Sequence, residues 1–165
     1  MAKQKEKEEK TNVMRVLEAA GIPYTPHQIP LSKDSPLDGV SAAALLGKPP
    51  EQVFKTLVTQ GPKGEHFVFV IPVAETLDLK KAAKAAGVKS VTMLPQKQLF
   101  PLTGYVHGGC SPVGMSKAFP TYFAEEVILV DTMLCSAGKI GHQVELRPND
   151  LIALVGGEIA DLIVS

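Results

Sequence analysis

The chain predicts a mixed α+β domain: a curved, mostly antiparallel mixed sheet or partial barrel with flanking helices. Three observations carry that expectation. Short β-rich runs are frequent and come in hairpin spacing, most clearly 53–59 and 66–71 across Gly61-Pro62-Lys63-Gly64. The helical segments are short, and four of them close on a glycine, the residue that turns most readily into the left-handed region. Strands and helices alternate irregularly, which argues against a doubly wound parallel sheet.

Each element has a local cause. Thr11 caps a first helix that runs to about Ala20, with Val13, Val16 and Leu17 on one face and Gly21 as its stop. Residues 22–29 are extended, because Pro23 and Pro26 each push the preceding residue out of the helical region. A loop follows over 32–38, then a helix over 40–46 stopped by Gly47 and a turn at 50–52. After the 53–59 and 66–71 hairpin, Asp78 caps a helix over 79–86 that ends at Gly87. Residues 88–93 read as a short strand, and Pro95 opens a helix over 96–100. Strands are expected over 103–107, 121–123, 127–131 and 143–146, the last entered through the turn Gly138-Lys139-Ile140-Gly141. Pro148 suits the first turn of a final helix over 149–155, ended by Gly156.

At 165 residues the chain is long enough for one domain with a real core, expected over 11–165 behind a charged, flexible N-terminal tail at 1–10. Apolar residues make up 45% but aromatics only 5%, with no Trp, so the core must be aliphatic. No apolar run approaches the roughly 18 residues of a membrane span. The N-terminus lacks the apolar centre of a signal peptide. Two cysteines, Cys110 and Cys135, make no disulfide framework, and the chain reads as cytoplasmic. Charge is balanced at 17 basic and 17 acidic residues, unlike proteins that grip nucleic acid tightly alone. Any RNA contact must use a local patch or a partner.

Two features go beyond packing. The segment Gly108-Gly109-Cys110-Ser111-Pro112-Val113-Gly114 places three glycines and a proline in seven residues. Such a loop has a fixed path and presents bare backbone N–H groups. It is neither a Walker loop nor a dinucleotide fingerprint. Far upstream, Lys55 interrupts the β-like run Val53-Phe54-Lys55-Thr56-Leu57. The plain reading of Lys55 is an edge-strand lysine reaching water. The functional reading is a cationic point charge in a cleft, suited with the amide loop to a phosphate or carbonyl oxygen. His27, His66, His107 and His142 stand alone, without metal-ligand spacing, and no metal or cofactor is expected. Cys110 and Ser111 have no activating partner in sequence and no Gly-x-Ser-x-Gly elbow. Lys80, Lys81 and Lys84 form a basic helical surface, either merely solvated or touching an RNA backbone.

Taken in order, four segments resemble the YbaK/EbsC family of Cys-tRNA(Pro) deacylases, free-standing relatives of the prolyl-tRNA synthetase editing domain. They are Val-Phe-Lys-Thr-Leu (53–57), Pro-Val-Ala-Glu-Thr-Leu-Asp-Leu-Lys-Lys-Ala-Ala-Lys (72–84), Thr-Gly-Tyr-Val-His-Gly-Gly-Cys-Ser-Pro-Val-Gly (103–114) and Ser-Ala-Gly-Lys-Ile-Gly-x-x-Val-Glu-Leu (136–146). The resemblance spans about 11–160. It implies removal of a wrong amino acid from tRNA, with Lys55 holding the aminoacyl-adenosine end. Thr56, Gly108, Gly109, Cys110, Ser111, Pro112, Gly114, Gly138 and Gln143 would bind substrate by the same analogy, with Gly108, Gly109, Ser111 and Pro112 cradling the aminoacyl group. It also implies that the substrate's own thiol attacks its ester, so that the protein need only position and polarise. Two departures bear on which amino acid is removed. Residues 29–38 lack the family's His-Asp-Pro and aromatics, and Gln143 stands where an aspartate is usual.

The expected activity is therefore clearance of Cys-tRNA(Pro), or of Cys-tRNA(Cys), in trans beside prolyl-tRNA synthetase. The alternatives are removal of another small residue, such as alanine from Ala-tRNA(Pro), by an activated water, or a non-catalytic module that binds tRNA or a synthetase.

Overall fold

The computed structural model describes residues 10–29 and 38–165. Most of the expected tail at 1–10 and of the expected loop at 32–38 therefore lies outside the described residues.

Side-chain caps set the helix starts. Thr11 accepts from the Met14 amide and opens α1 (Asn12–Ala19). Next comes β1 (Thr25–Gln28), then α2 (Gly39–Leu46), capped by Asp38 and closed on left-handed Gly47. A 3-10 turn over Pro50–Gln52 leads into the hairpin of β2 (Phe54–Gln60) and β3 (His66–Pro72). Asp78 accepts from two amides at the start of α3 (Leu79–Ala86), which stops at Gly87. β4 (Thr92–Met93) and α4 (Leu99–Thr103) precede the glycine loop, and β5 (Thr121–Ala124) follows it. The hairpin of β6 (Met133–Lys139) and β7 (His142–Leu146), α5 (Pro148–Val155) and β8 (Glu158–Ala160) complete the chain.

Two sheets form. One is fully antiparallel in the order β1-β7-β6; the other is mixed, β4-β2-β3-β5-β8, with β5 parallel to both its neighbours. An isolated bridge, Val53 to Leu134, joins the start of β2 to β6, and a shared apolar cluster packs the two sheets together. The expected α+β architecture is what the chain adopts.

Alternation along β3 divides the core. Val68 and Val70 face a large cluster with Val13 and Leu17 of α1, Phe123, Met133, Cys135 and Val144. Phe67, Phe69 and Ile71 face a second cluster with Ala82 and Ala83 of α3 and Leu162. Both faces of β3 are thus covered, which is why 67–71 is a continuous apolar run.

Three local expectations differ. Residues 103–107 form no strand: α4 runs to Thr103, whose hydroxyl donates to the Leu99 carbonyl, and Gly104 then turns the chain at φ +86°. Pro101 is accommodated near the start of α4, where its missing N–H costs little. Residues 127–131 lie instead across a 3-10 turn, Glu125–Leu129, and its end. β5 is already flanked by β3 and β8, so that run finds no free edge there, and it buries Val127 while exposing Ile128 and Leu129. Of 88–93, only Thr92–Met93 pairs as strand. β6 and β8 were not foreseen; β6, a run of small and apolar residues ending in Gly138-Lys139, pairs antiparallel with β7 at the edge of the three-stranded sheet.

Candidate active site

Strand β2 supplies the site because one of its edges is open. The Val73 amide donates to the Val53 carbonyl and the Leu94 amide to the Val58 carbonyl. Odd-numbered residues of β2 therefore turn their peptide groups to β3, and even-numbered ones turn away. On that far side β4 pairs only with Thr59 and Gln60. At Thr56 the peptide edge is left facing a cavity of about 270 Å³, lined by Lys55, Thr56, Leu99, His107, Gly108, Cys110, Ser136 and Gln143 among others.

The cavity wraps the strand edge, so it takes residues from both faces of β2. Lys55 and Thr56 point to opposite sides of the sheet and nonetheless share the space. Lys55 is half-buried. Desolvation of its ammonium pulls the pKa below the ordinary lysine value, while the Glu75 carboxylate partly restores it. Among the described residues no carboxylate lies within ion-pair distance of it.

Two other atoms mark the cavity as a binding site. Thr56 Oγ1 and Gln143 Oε1 are buried and have no hydrogen-bond partner among the described residues. Leaving a buried polar group unsatisfied costs about 1–3 kcal/mol, and both residues line the same space. A polar ligand there would satisfy them. Opposite Gln143 in register lies Ser136, whose hydroxyl accepts from the Gly138 amide at 3.0 Å.

The glycine loop divides in two. Gly108, at φ +90°, and Cys110 line the cavity, with exposed His107 at the rim. Burial pushes the Cys110 thiol up to about 12, so it is a neutral thiol at physiological pH rather than a ready nucleophile. Gly109, Ser111, Pro112 and Gly114 do not line this cavity. A Cβ at Gly109 would stand 3.0 Å from the Ile140 amide nitrogen, so this glycine lets the loop pack on the β6–β7 turn. Ser111 is buried and accepts from the Val113 amide at 3.2 Å, and the Tyr105 hydroxyl donates to the Val113 carbonyl. Pro112 and Gly114 line a separate recess with Val16 and Leu154. Gly138 lies against Val13 and Tyr105. These residues hold the loop; Lys55, Thr56, Gly108, Cys110 and Gln143 are the expected site residues brought together.

On α3 the three lysines differ. Lys81 reaches across to the Asp161 carboxylate, the Ile163 carbonyl and the Ser165 hydroxyl at 3.1, 2.8 and 3.1 Å, tying down the chain's end. Lys80 and Lys84 are exposed, and none of the three lines the cavity. Among the described residues no three His, Cys, Asp or Glu side chains come together as a metal-holding group, and no helix is long and apolar enough to cross a membrane.

Ser136 and Leu99 were missed as site residues, and so was Glu145. Its carboxylate accepts from Thr132 Oγ1 at 2.6 Å and Gln52 Nε2 at 3.3 Å, meets His27 Nε2 at 2.8 Å and Lys48 Nζ at 3.4 Å. Burial would raise its pKa, but the bonds from Thr132 and His27 and the Lys48 charge outweigh burial and hold it below the ordinary glutamate value. The signal was available: Glu145 is two residues from Gln143 and shares its face of β7.

An open strand edge, a half-buried lysine and unpaired polar atoms around one cavity mark a site suited to a polar ligand. Residues 36–154 match the family model described as the aminoacyl-tRNA editing domain. A protein of Enterococcus faecalis described as a candidate Cys-tRNA(Pro)/Cys-tRNA(Cys) deacylase, EbsC, is 47% identical over 162 residues, covering 98% of both chains. The solved structure of a candidate trans-editing enzyme for prolyl tRNA synthetase superposes with a TM-score of 0.80 at 28% identity, covering 93% of this chain and 95% of that one. A solved hypothetical protein shares the fold with a TM-score of 0.82 at 24% identity, over 92% of this chain and 99% of its own. The chain belongs to the aminoacyl-tRNA editing domain family, and its class of activity is aminoacyl-tRNA deacylation.

Proposed function

We propose that the protein clears cysteine from Cys-tRNA(Pro), and from Cys-tRNA(Cys), in trans, in the cytoplasm and beside prolyl-tRNA synthetase. The observation that carries this reading is the shared cavity of Lys55 and the 107–110 loop, with Thr56 Oγ1 and Gln143 Oε1 left unpaired inside it. The acylated 3′ terminus enters along the open edge of β2. Lys55 holds the adenosine end as a cationic point charge, and backbone groups at Thr56 and Gly108 bracket the ester. Gln143 Oε1, buried without a partner among the described residues, accepts from the substrate's ammonium.

The chemistry then belongs to the substrate. Its thiol sulfur attacks the ester carbonyl, a carbon–sulfur bond forms, and the carbon–oxygen bond to the ribose breaks. The thiol proton ends on the ribose oxygen, releasing deacylated tRNA and a cyclic thioester. Holding sulfur and carbonyl in attack geometry is an effective-concentration gain, which needs no nucleophile from the protein. Both cysteines are held as neutral thiols near 12, in keeping with that division of labour.

Incubation with Cys-, Ala- and Ser-tRNA(Pro) tests the reading. The expected result is loss of the cysteinyl ester alone, reduced at least 100-fold in Lys55→Ala. Loss of alanine as readily as cysteine would indicate an activated water. Intact esters with retained tRNA binding would leave a binding module instead.

A further inference from the structure

We infer that Glu145 is a positioning residue that sets the spacing between the Lys55-bearing strand and the Gln143-bearing strand across the cavity. The inference rests on the deacylase reading above and names a residue that does not itself line the cavity.

One carboxylate here reaches four of the segments that support the cavity's lining. Through Gln52 it holds the turn that runs directly into Val53 and β2, three residues before Lys55. Through Lys48 it holds the segment just beyond α2, whose Gly39 and Ala42 line the cavity. Through His27 it holds β1, where His27 itself lies opposite Gln143 in register and Ile29 reaches the cavity. Through Thr132 it holds the approach to β6, which carries Ser136. Gln52 Nε2 also donates to Thr132 Oγ1 at 2.9 Å, so the donors brace one another.

The geometry favours positioning over packing. The side chain is only 15% exposed, and five contacts to four separate segments converge on two oxygens. The sheets also meet through the apolar core and the bridge from Val53 to Leu134, but this carboxylate is a polar fixed point beside the cavity that Lys55 and Gln143 share. The contacts from Thr132 and His27, at 2.6 and 2.8 Å, are short charge-assisted bonds, which suits that task. Sub-ångström placement matters most for a reaction that depends on attack geometry, where a 1 Å error costs up to about 100-fold in rate.

The test uses the full chain and the near-isosteric Glu145→Gln. On Cys-tRNA(Pro), kcat should fall roughly 10- to 100-fold while KM stays within about threefold. Thr132→Val, which deletes one bond to the same carboxylate, should lower kcat in the same direction by less. The double variant should lose no more than Glu145→Gln alone, because the two act through one contact. A substrate-free readout runs beside these: the labelling rate of Lys55 by an amine-reactive acylating reagent, referenced to Lys80, should change at least threefold in Glu145→Gln. That readout decides even where the wild type cleaves none of the esters, so failure of the deacylase reading is distinguishable from failure of this one. If Glu145→Gln does not fold, Thr132→Val decides by the same measurements. Unchanged Lys55 labelling, kcat within about twofold of wild type, or losses that add in full in the double variant would each overturn the inference.

Discussion

At Lys55 two effects oppose each other. Partial burial lowers the affinity of its amine for a proton, Glu75 raises it, and burial prevails. A lysine that works as a cation loses function as pH rises through its pKa, so the descending limb of kcat/KM should lie below 10.5, the unperturbed value. The measurement is a pH profile on Cys-tRNA(Pro) corrected for uncatalysed ester loss. Lys55→Arg should move that limb beyond the accessible range, since a guanidinium does not deprotonate there; a limb unmoved by the substitution would remove the charge from the mechanism. Lys55 was legible in the sequence because a cation interrupts a β-branched and aromatic run. Thr56 and Gln143 were legible only through resemblance. What distinguishes them, an acceptor buried without a partner, is a property of their surroundings and not of their type.

Elements follow local chemistry where local chemistry is strong. The caps at Thr11 and Asp78 and the stops at Gly47, Gly87 and Gly156 fall where the side chains and glycines demand. Glycines at one φ sign can still do different work. Gly87 turns at φ +72° with nothing within 4 Å of an added Cβ, whereas at Gly138, at φ +91°, a Cβ would stand 2.9 Å from Tyr105 Cε1 and 3.0 Å from Val13 Cγ2. Gly87→Ala should cost about 1–2 kcal/mol from the left-handed backbone alone. Gly138→Ala adds overpacking and should cost roughly 2–5 kcal/mol. Urea midpoints of the two variants check this, and equal losses would refute the packing argument. Where local signals are weak, neighbours decide: 127–131 is β-branched and apolar but meets no free edge at β5, while β6 becomes a strand by pairing with β7 and bridging to Val53.

For the molecule as a whole, balanced charge means that affinity for RNA must come from a patch and must be sensitive to salt. Exposed Lys80 and Lys84 on α3 are the proposed backbone contacts, with Lys81 engaged at the chain's end. Substituting both by Gln should reduce the slope of log affinity against log salt by about 1–2 for tRNA(Pro), with little change in kcat on a short acylated oligonucleotide. Filter binding across salt concentrations measures it. An unchanged slope would place the RNA elsewhere, the open groove of Lys10, Arg15 and Lys139 beside the β6–β7 turn being the next basic concavity.

Composition, capping residues and the order of short apolar runs sufficed for the α+β class, for most element boundaries and for Lys55 as a residue out of place. These are decided within a few residues of chain, by backbone preference and by the period of burial. Tertiary structure alone decided that β2 has a bare edge at Thr56, that only Gly108 and Cys110 of the glycine loop face the cavity, and that Glu145 gathers four segments at one carboxylate. Each of those depends on which distant strands leave an edge unpaired and on which donors converge from 13 to 118 residues away, a matter of global pairing that no local pattern encodes.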